Sequence, residues 1–172
     1  MNGKNALVCG SSKGIGASTA IELSKLGASI TLLARNKDSL SSVLGELDSS
    51  NNQNHTYLIA DFDDPIKLKN IINDFIENSP PIHILINNSG GPKPGAIIDA
   101  NIEDFIGAFN RHLICNHILV QALIPNMKKA NFGRIINITS TSVKEPIEGL
   151  GVSNTIRGAV ANWAKTLSFE LG

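Results

Sequence analysis

Charge of one sign is missing from this chain. Lys and Arg together number 15, Asp and Glu 15, and the formal net charge is zero over 172 residues. With no basic excess to neutralise a run of phosphates, general nucleic-acid binding is excluded as a first reading. Cysteine is equally scarce. Cys9 and Cys115 are too few and too far apart for a disulfide framework or a metal-ligand set, so both are expected as buried free thiols in a reducing compartment. Long hydrophobic runs are absent too. The opening stretch Ala6-Leu7-Val8-Cys9 is too short for a signal peptide and nothing approaches a membrane span. The expectation is a cytoplasmic protein without a membrane partner. Tyrosine occurs once, at Tyr57, a scarcity that matters below.

What is present is an ordinary globular balance, 42% hydrophobic and 17% charged, without repeats or low-complexity tracts. One domain of this length buries about two-thirds of its unfolded surface. Short apolar runs alternate with stretches of helical spacing. Strands are predicted at Ala6–Cys9, Ser29–Ala34, His55–Ala60, Ile82–Ile86 and Arg134–Ile138. The first helix is predicted over Ile15–Leu26, with Ile15, Thr19, Leu23 and Leu26 on its inward stripe, and a second over Lys37–Leu47. Asp64-Pro65 opens a third, with Asp as N-cap and Pro in the first turn. Asn101 and Asp104 form a capping pair opening a long helix to about Lys129, which Pro125 should kink or divide. A last helix covers Val152–Leu171. Strands apolar on both faces, alternating with helices, predict an α/β fold, a doubly wound parallel sheet covered on both sides.

The run Cys9-Gly10-Ser11-Ser12-Lys13-Gly14-Ile15-Gly16 follows the first strand and opens the first helix. There, bare backbone can approach a ligand and helix N–H groups can meet a pyrophosphate. The same glycines would also serve a turn that merely lets the helix pack on the sheet. Their place in the first βα unit favours the dinucleotide. At the end of the second strand, Leu33-Ala34-Arg35-Asn36 has no acid to accept a ribose 2′-hydroxyl. Arg35 can instead fork onto a 2′-phosphate with Lys13 as a second positive charge, although both could be ordinary surface cations. The cofactor expected is NADP(H) rather than NAD(H).

The spacing Gly10-x-x-x-Gly14-x-Gly16, together with Asn87-Asn88-Ser89-Gly90 after the fourth strand, resembles the short-chain dehydrogenase/reductase family. That family usually has Asn-Asn-Ala-Gly at the second motif, so Ser89 departs from it. The resemblance, which spans essentially the whole chain, implies a Rossmann-type sheet. It also implies a cofactor cradle of Gly10, Ser12, Lys13, Gly14, Ile15, Gly16, Arg35, Asp61, Phe62, Asn88, Ser89 and Gly90, with Asp61-Phe62 at the adenine. Asn137-Ile138-Thr139-Ser140 matches the segment ending in the family's catalytic Ser. The family's Tyr-x-x-x-Lys falls on Ser153 and Arg157, and its helical Asn falls near His112. The implied catalytic set is therefore Ser140, Ser153, Arg157 and His112, without the phenol.

This loss bears on chemistry. A serine hydroxyl titrates far above a phenol and is a poor general acid, while Arg157 cannot give up a proton. His112 has a suitable ordinary pKa, although a histidine within a long helix is often simply a packed residue. The Ser-x-x-x-Arg pattern resembles a divergent branch of the family that is called 3-oxoacyl-carrier-protein reductase-like. Two functions follow. One is an oxidoreductase interconverting a carbonyl and a secondary alcohol with NADP(H). The other is a catalytically impaired NADP(H)-binding scaffold or regulator.

The family normally adds two strand–helix units after the helix that ends near Gly172. The resemblance thus implies an incomplete member in which the fifth strand is an edge. The segments Gly91–Gly95 and Lys144–Gly151 are expected to line one side of the substrate pocket. The helices of residues 101–129 and 152–171 would form the face of a homodimer.

Overall fold

The computed structural model describes every residue from Met1 to Gly172. Five parallel strands form one sheet in the order β3-β2-β1-β4-β5, namely β1 (Asn5–Cys9), β2 (Ser29–Ala34), β3 (Thr56–Ile59), β4 (Ile84–Asn87) and β5 (Arg134–Asn137). The helices are α1 (Gly14–Lys25), α2 (Lys37–Leu44), α3 (Pro65–Asn78), α4 (Ile102–Phe109), α5 (Cys115–Lys129) and α6 (Gly151–Leu171). The predicted doubly wound sheet is present, and β5 is one of its edges.

Alternation along the strands sorts the core into two layers. Leu7, Cys9, Leu33 and Leu85 join Leu68 and Ile72 of α3 and Leu119 and Leu123 of α5 on one face. Ala6, Val8, Ile30, Leu32, Ile84 and Ile86 join Ala17 and Ala20 of α1 and Leu40 and Val43 of α2 on the other. Both cysteines are buried in the first layer and unpaired. Chain order reverses between β2 and β4 across β1, so the carboxyl ends of β1 and β4 diverge into a crevice, the place where open α/β sheets take ligands.

Three local expectations need correction. The inward face of α1 is Gly16, Ala17, Ala20 and Ser24, whereas Ile15 and Leu26 are exposed. Small side chains let this helix lie close to the sheet, and closeness outweighs side-chain hydrophobicity there. α2 ends at Leu44 rather than Leu47, with Gly45 as its C-cap. The long helix is not interrupted at Pro125, through which α5 runs to Lys129; instead a π-helical turn, Asn110–Ile114, separates α4 from α5. Such single-turn wide helices are frequent at functional sites, and this one carries Arg111 and His112. The caps behave as expected. Asp64 Oδ1 accepts the N–H of Lys67 at 3.0 Å, and Asp104 Oδ2 that of Asn101 at 3.2 Å.

Candidate active site

The glycine corner is held by neighbours on both sides. Ser11, fully buried, accepts the N–H of Leu33 through Oγ at 2.9 Å and ties the corner to the end of β2. Asn88 Nδ2 donates to the carbonyls of Cys9 and Gly10 at 3.3 and 3.4 Å, tying it to the end of β4. Gly10 has φ +59°, and a Cβ there would lie 2.7 Å from Asn88 Nδ2. A Cβ on Gly16 would lie 2.3 Å from the Gly10 carbonyl oxygen. Those two glycines are required by packing. Gly14 differs, because its φ of +59° demands glycine while a Cβ there would meet nothing within 4 Å. The open space at Gly14 adjoins the cleft that Gly14 lines, where a ligand could approach bare backbone.

That space opens into a cleft of about 690 Å³ lined by Ser12, Lys13, Gly14, Ile15 and Arg35 from the first two units. Its far wall is made of Asp61, Phe62, Asn88, Ser89 and Gly90. Of the predicted cradle, only Gly16 stands behind this surface, against Gly10. Asp63 and Arg111 also line the cleft and were not predicted. Three cations and two carboxylates share it.

A second group of polar residues lies where α6 and the π turn meet the end of β5. Ser140 Oγ accepts the N–H of Ser142 at 3.1 Å, which leaves the Ser140 hydroxyl proton free to donate. Ser153 sits half-buried in the first turn of α6. Arg157 is buried, and its Nη1 donates to the Ile138 carbonyl at 2.7 Å. None of the chain's four ion pairs includes it. Burial pushes its pKa down from the ordinary value. A desolvated, unpaired guanidinium favours any negative charge that forms beside it.

His112 is 1% exposed, with Nδ1 2.8 Å from Ser89 Oγ and Nε2 buried without a partner. Burial, with the Arg157 and Arg111 charges adding, pushes its pKa down to about 3. The imidazole is therefore neutral near pH 7. It can donate or accept a hydrogen bond, but it does not carry the imidazolium proton that a general acid would use. Tyr57 lies half-buried in β3, and its ring packs on the α1–α2 layer.

The two loops expected beside the substrate are joined. Gly95 N–H donates to the Gly149 carbonyl at 2.6 Å and Gly151 N–H to the Gly95 carbonyl at 3.1 Å. A Cβ on Gly151 would lie 2.5 Å from Cβ of Ile97, so glycine is needed for the two segments to close on each other. Nothing in the sequence pattern marked this pairing, because it joins residues more than fifty positions apart through backbone alone.

Comparison with known proteins gives a consistent picture. The family model described as short chain dehydrogenase matches residues 4–172. An NADPH-dependent reductase, BacG, of Bacillus subtilis is 28% identical over 99% of this chain and 66% of its own length. An NADP-dependent 3-hydroxy acid dehydrogenase of Schizosaccharomyces pombe shows 28% identity, also over 99% of this chain and 66% of its own. The crystal structure of L-sorbose reductase from Gluconobacter frateurii, in complex with NADPH and L-sorbose, superimposes with a TM-score of 0.92 at 26% identity. That match covers 99% of this chain and 65% of the reductase. The chain thus spans just under two-thirds of the length of these relatives.

Proposed function

This chain belongs to the short chain dehydrogenase family, and on that premise we propose that it holds NADP(H) in the cleft at the glycine corner and interconverts a carbonyl and a secondary alcohol. The observation that carries the cofactor reading is the corner itself. Gly10 and Gly16 are closed against Asn88 and each other, while Gly14 faces open space beside Lys13 and Arg35. NADPH-dependent and NADP-dependent relatives support the phosphorylated cofactor.

The nicotinamide, when bound, supplies or accepts the hydride. The chain's own residues do the rest. Backbone N–H groups at the start of α1 would receive the pyrophosphate, aided by the positive end of the helix. Arg35 and Lys13 would take the 2′-phosphate, and Asn88 holds the corner in place through the Cys9 and Gly10 carbonyls. Ser140 would donate a hydrogen bond from its free hydroxyl to the substrate oxygen, keeping its own proton. Arg157, buried and without an ion-pair partner, would hold the nicotinamide ribose and favour a developing alkoxide. Ser153 occupies the family's tyrosine position but is too weak an acid to deliver the proton unaided, so water is the proton source. We assign His112 a positioning part, as a neutral hydrogen-bonding group held by Ser89.

Titration with NADPH, followed by energy transfer from Trp163 and by calorimetry, tests binding. Oxidation of NADPH against ketones and 3-oxoacyl thioesters tests turnover. Saturable binding with turnover supports the oxidoreductase. Binding without turnover on any member of the panel would leave the scaffold reading in its place.

We further assign the exposed apolar stripe Ile102, Ile106 and Phe109 of α4 to a second copy of the chain. Sedimentation velocity checks this: a monomer at tens of micromolar would count against it. No helix is long and apolar enough to cross a membrane.

A further inference from the structure

In the cleft, four charged side chains meet, from the loops after β2 and β3 and from the π turn. Arg35 Nη1 lies 3.8 Å from Asp61 Oδ2 and 3.8 Å from Asp63 Oδ2. The other oxygen of Asp61 accepts the N–H of Asp63 at 2.9 Å. The other oxygen of Asp63 meets Arg111 Nε at 2.7 Å. Each carboxylate therefore turns one oxygen to Arg35 and spends the second elsewhere. Arg111 is the more firmly held of the two arginines, since its Nε also donates to the Gly107 carbonyl at 3.3 Å and its side chain is 32% exposed against 70% for Arg35.

The arrangement creates a competition. Two carboxylates facing one guanidinium offset its charge, and a phosphate dianion entering the cleft must win Arg35 from them while being repelled by both. Arg111 neutralises one of the two from behind. It makes no contact with Arg35, yet it decides how much negative charge Arg35 and an incoming phosphate experience. A dinucleotide without the 2′-phosphate is indifferent to most of this, because its charge lies at the glycine corner.

Resting on the NADP(H) reading above, we propose that Arg111 is a specificity-determining residue which, by holding Asp63, frees Arg35 for the 2′-phosphate and so sets the preference for NADP(H) over NAD(H). The pair is partly exposed and solvent-screened, so the effect belongs to relative affinity and not to folding.

Equilibrium binding of NADPH and NADH to four proteins tests it: the natural chain, Arg111→Gln, Asp63→Asn and the double variant. Arg111→Gln should weaken NADPH roughly three- to tenfold while NADH changes less than about twofold, the scale of one partly exposed charge acting on a dianion. Asp63→Asn should move NADPH the other way, and the double variant should return near the natural ratio. The expected effects shrink at high salt. Equal shifts for both cofactors in Arg111→Gln, or weaker NADPH binding in Asp63→Asn, would overturn the inference and leave the cofactor reading intact. If the natural chain binds neither dinucleotide, the cofactor reading fails and this one fails with it.

Discussion

Ser89 Oγ and His112 Nδ1 lie 2.8 Å apart, joining the turn after β4 to the π turn. The resemblance sets Ser89 against the family's usual Ala and His112 near its helical Asn. The hydroxyl is the one hydrogen-bond partner of the buried ring, whose Nε2 has none, so the two residues are expected to be coupled. Removing Ser89 alone strands a buried ring nitrogen, which costs about 1–3 kcal/mol. Ser89→Ala should therefore lower stability by that amount. The double variant Ser89→Ala/His112→Asn should be less destabilised than the sum of the singles. Urea unfolding of the four proteins measures the coupling.

The buried imidazole makes stability depend on pH. Its folded pKa is held at about 3 against an ordinary 6.5, so the unfolded chain binds the proton first. Stability from this group is complete above pH 6.5 and is lost as pH falls toward 3, by about 1.4 kcal/mol per unit at most. His83, also pushed down by burial, contributes with the same sign. Thermal melts between pH 7 and pH 4 should show a steeper fall for the natural chain than for His112→Asn, the gap reaching roughly 2–3 kcal/mol near pH 4. Parallel curves would show that His112 titrates normally.

Two glycines of the corner, Gly16 and Gly14, should fail in different ways. Gly16→Ala forces a Cβ into the Gly10 carbonyl and should abolish NADPH binding. Gly14→Ala meets no atoms but must hold φ near +59°, a conformation costing roughly 1–2 kcal/mol. It should lower Tm while retaining weak binding. Calorimetry and melting of the two variants separate steric from conformational cost.

Arg35→Glu should lose affinity for NADPH by at least tenfold and gain relative affinity for NADH, since it swaps a phosphate-pairing cation for an acceptor of the 2′-hydroxyl. An unchanged ratio would remove Arg35 from 2′-phosphate recognition.

Ser140→Ala should reduce kcat by roughly a hundredfold or more, with the dissociation constant for NADPH altered less than about twofold. Stopped-flow measurement of single turnovers reads the first quantity and fluorescence titration the second.

Most of the fold was legible in the sequence because strand and helix periods alternate cleanly, and the corner was legible because glycine leaves a signature that few other needs produce. The α1 stripe was misjudged for a physical reason. Close packing against a sheet selects Gly16, Ala17 and Ala20, and small residues carry almost no hydrophobic-periodicity signal. The π turn was hidden because Asn110–Ile114 has ordinary helical composition, and the extra residue per turn shows only in backbone bonding. Asp63 and Arg111 escaped notice because single charges are common on surfaces. Their meaning comes from being brought to one cleft from the turn after β3 and from the π turn.

The two thiols sit in the same layer of the interior, one mid-sheet at Cys9 and one at the head of α5, where Cys115 Sγ donates to the Phe62 carbonyl at 3.4 Å. Burial pushes the Cys115 thiol up to about 12 and raises Cys9 further. An alkylating reagent at neutral pH therefore finds neither until that layer parts from the strands. The chain carries a built-in clock for its own opening: the rate at which both sulfurs become modified reports how often the α3–α5 side lifts, and a bound nucleotide that stabilises the whole fold would slow that clock without touching either atom.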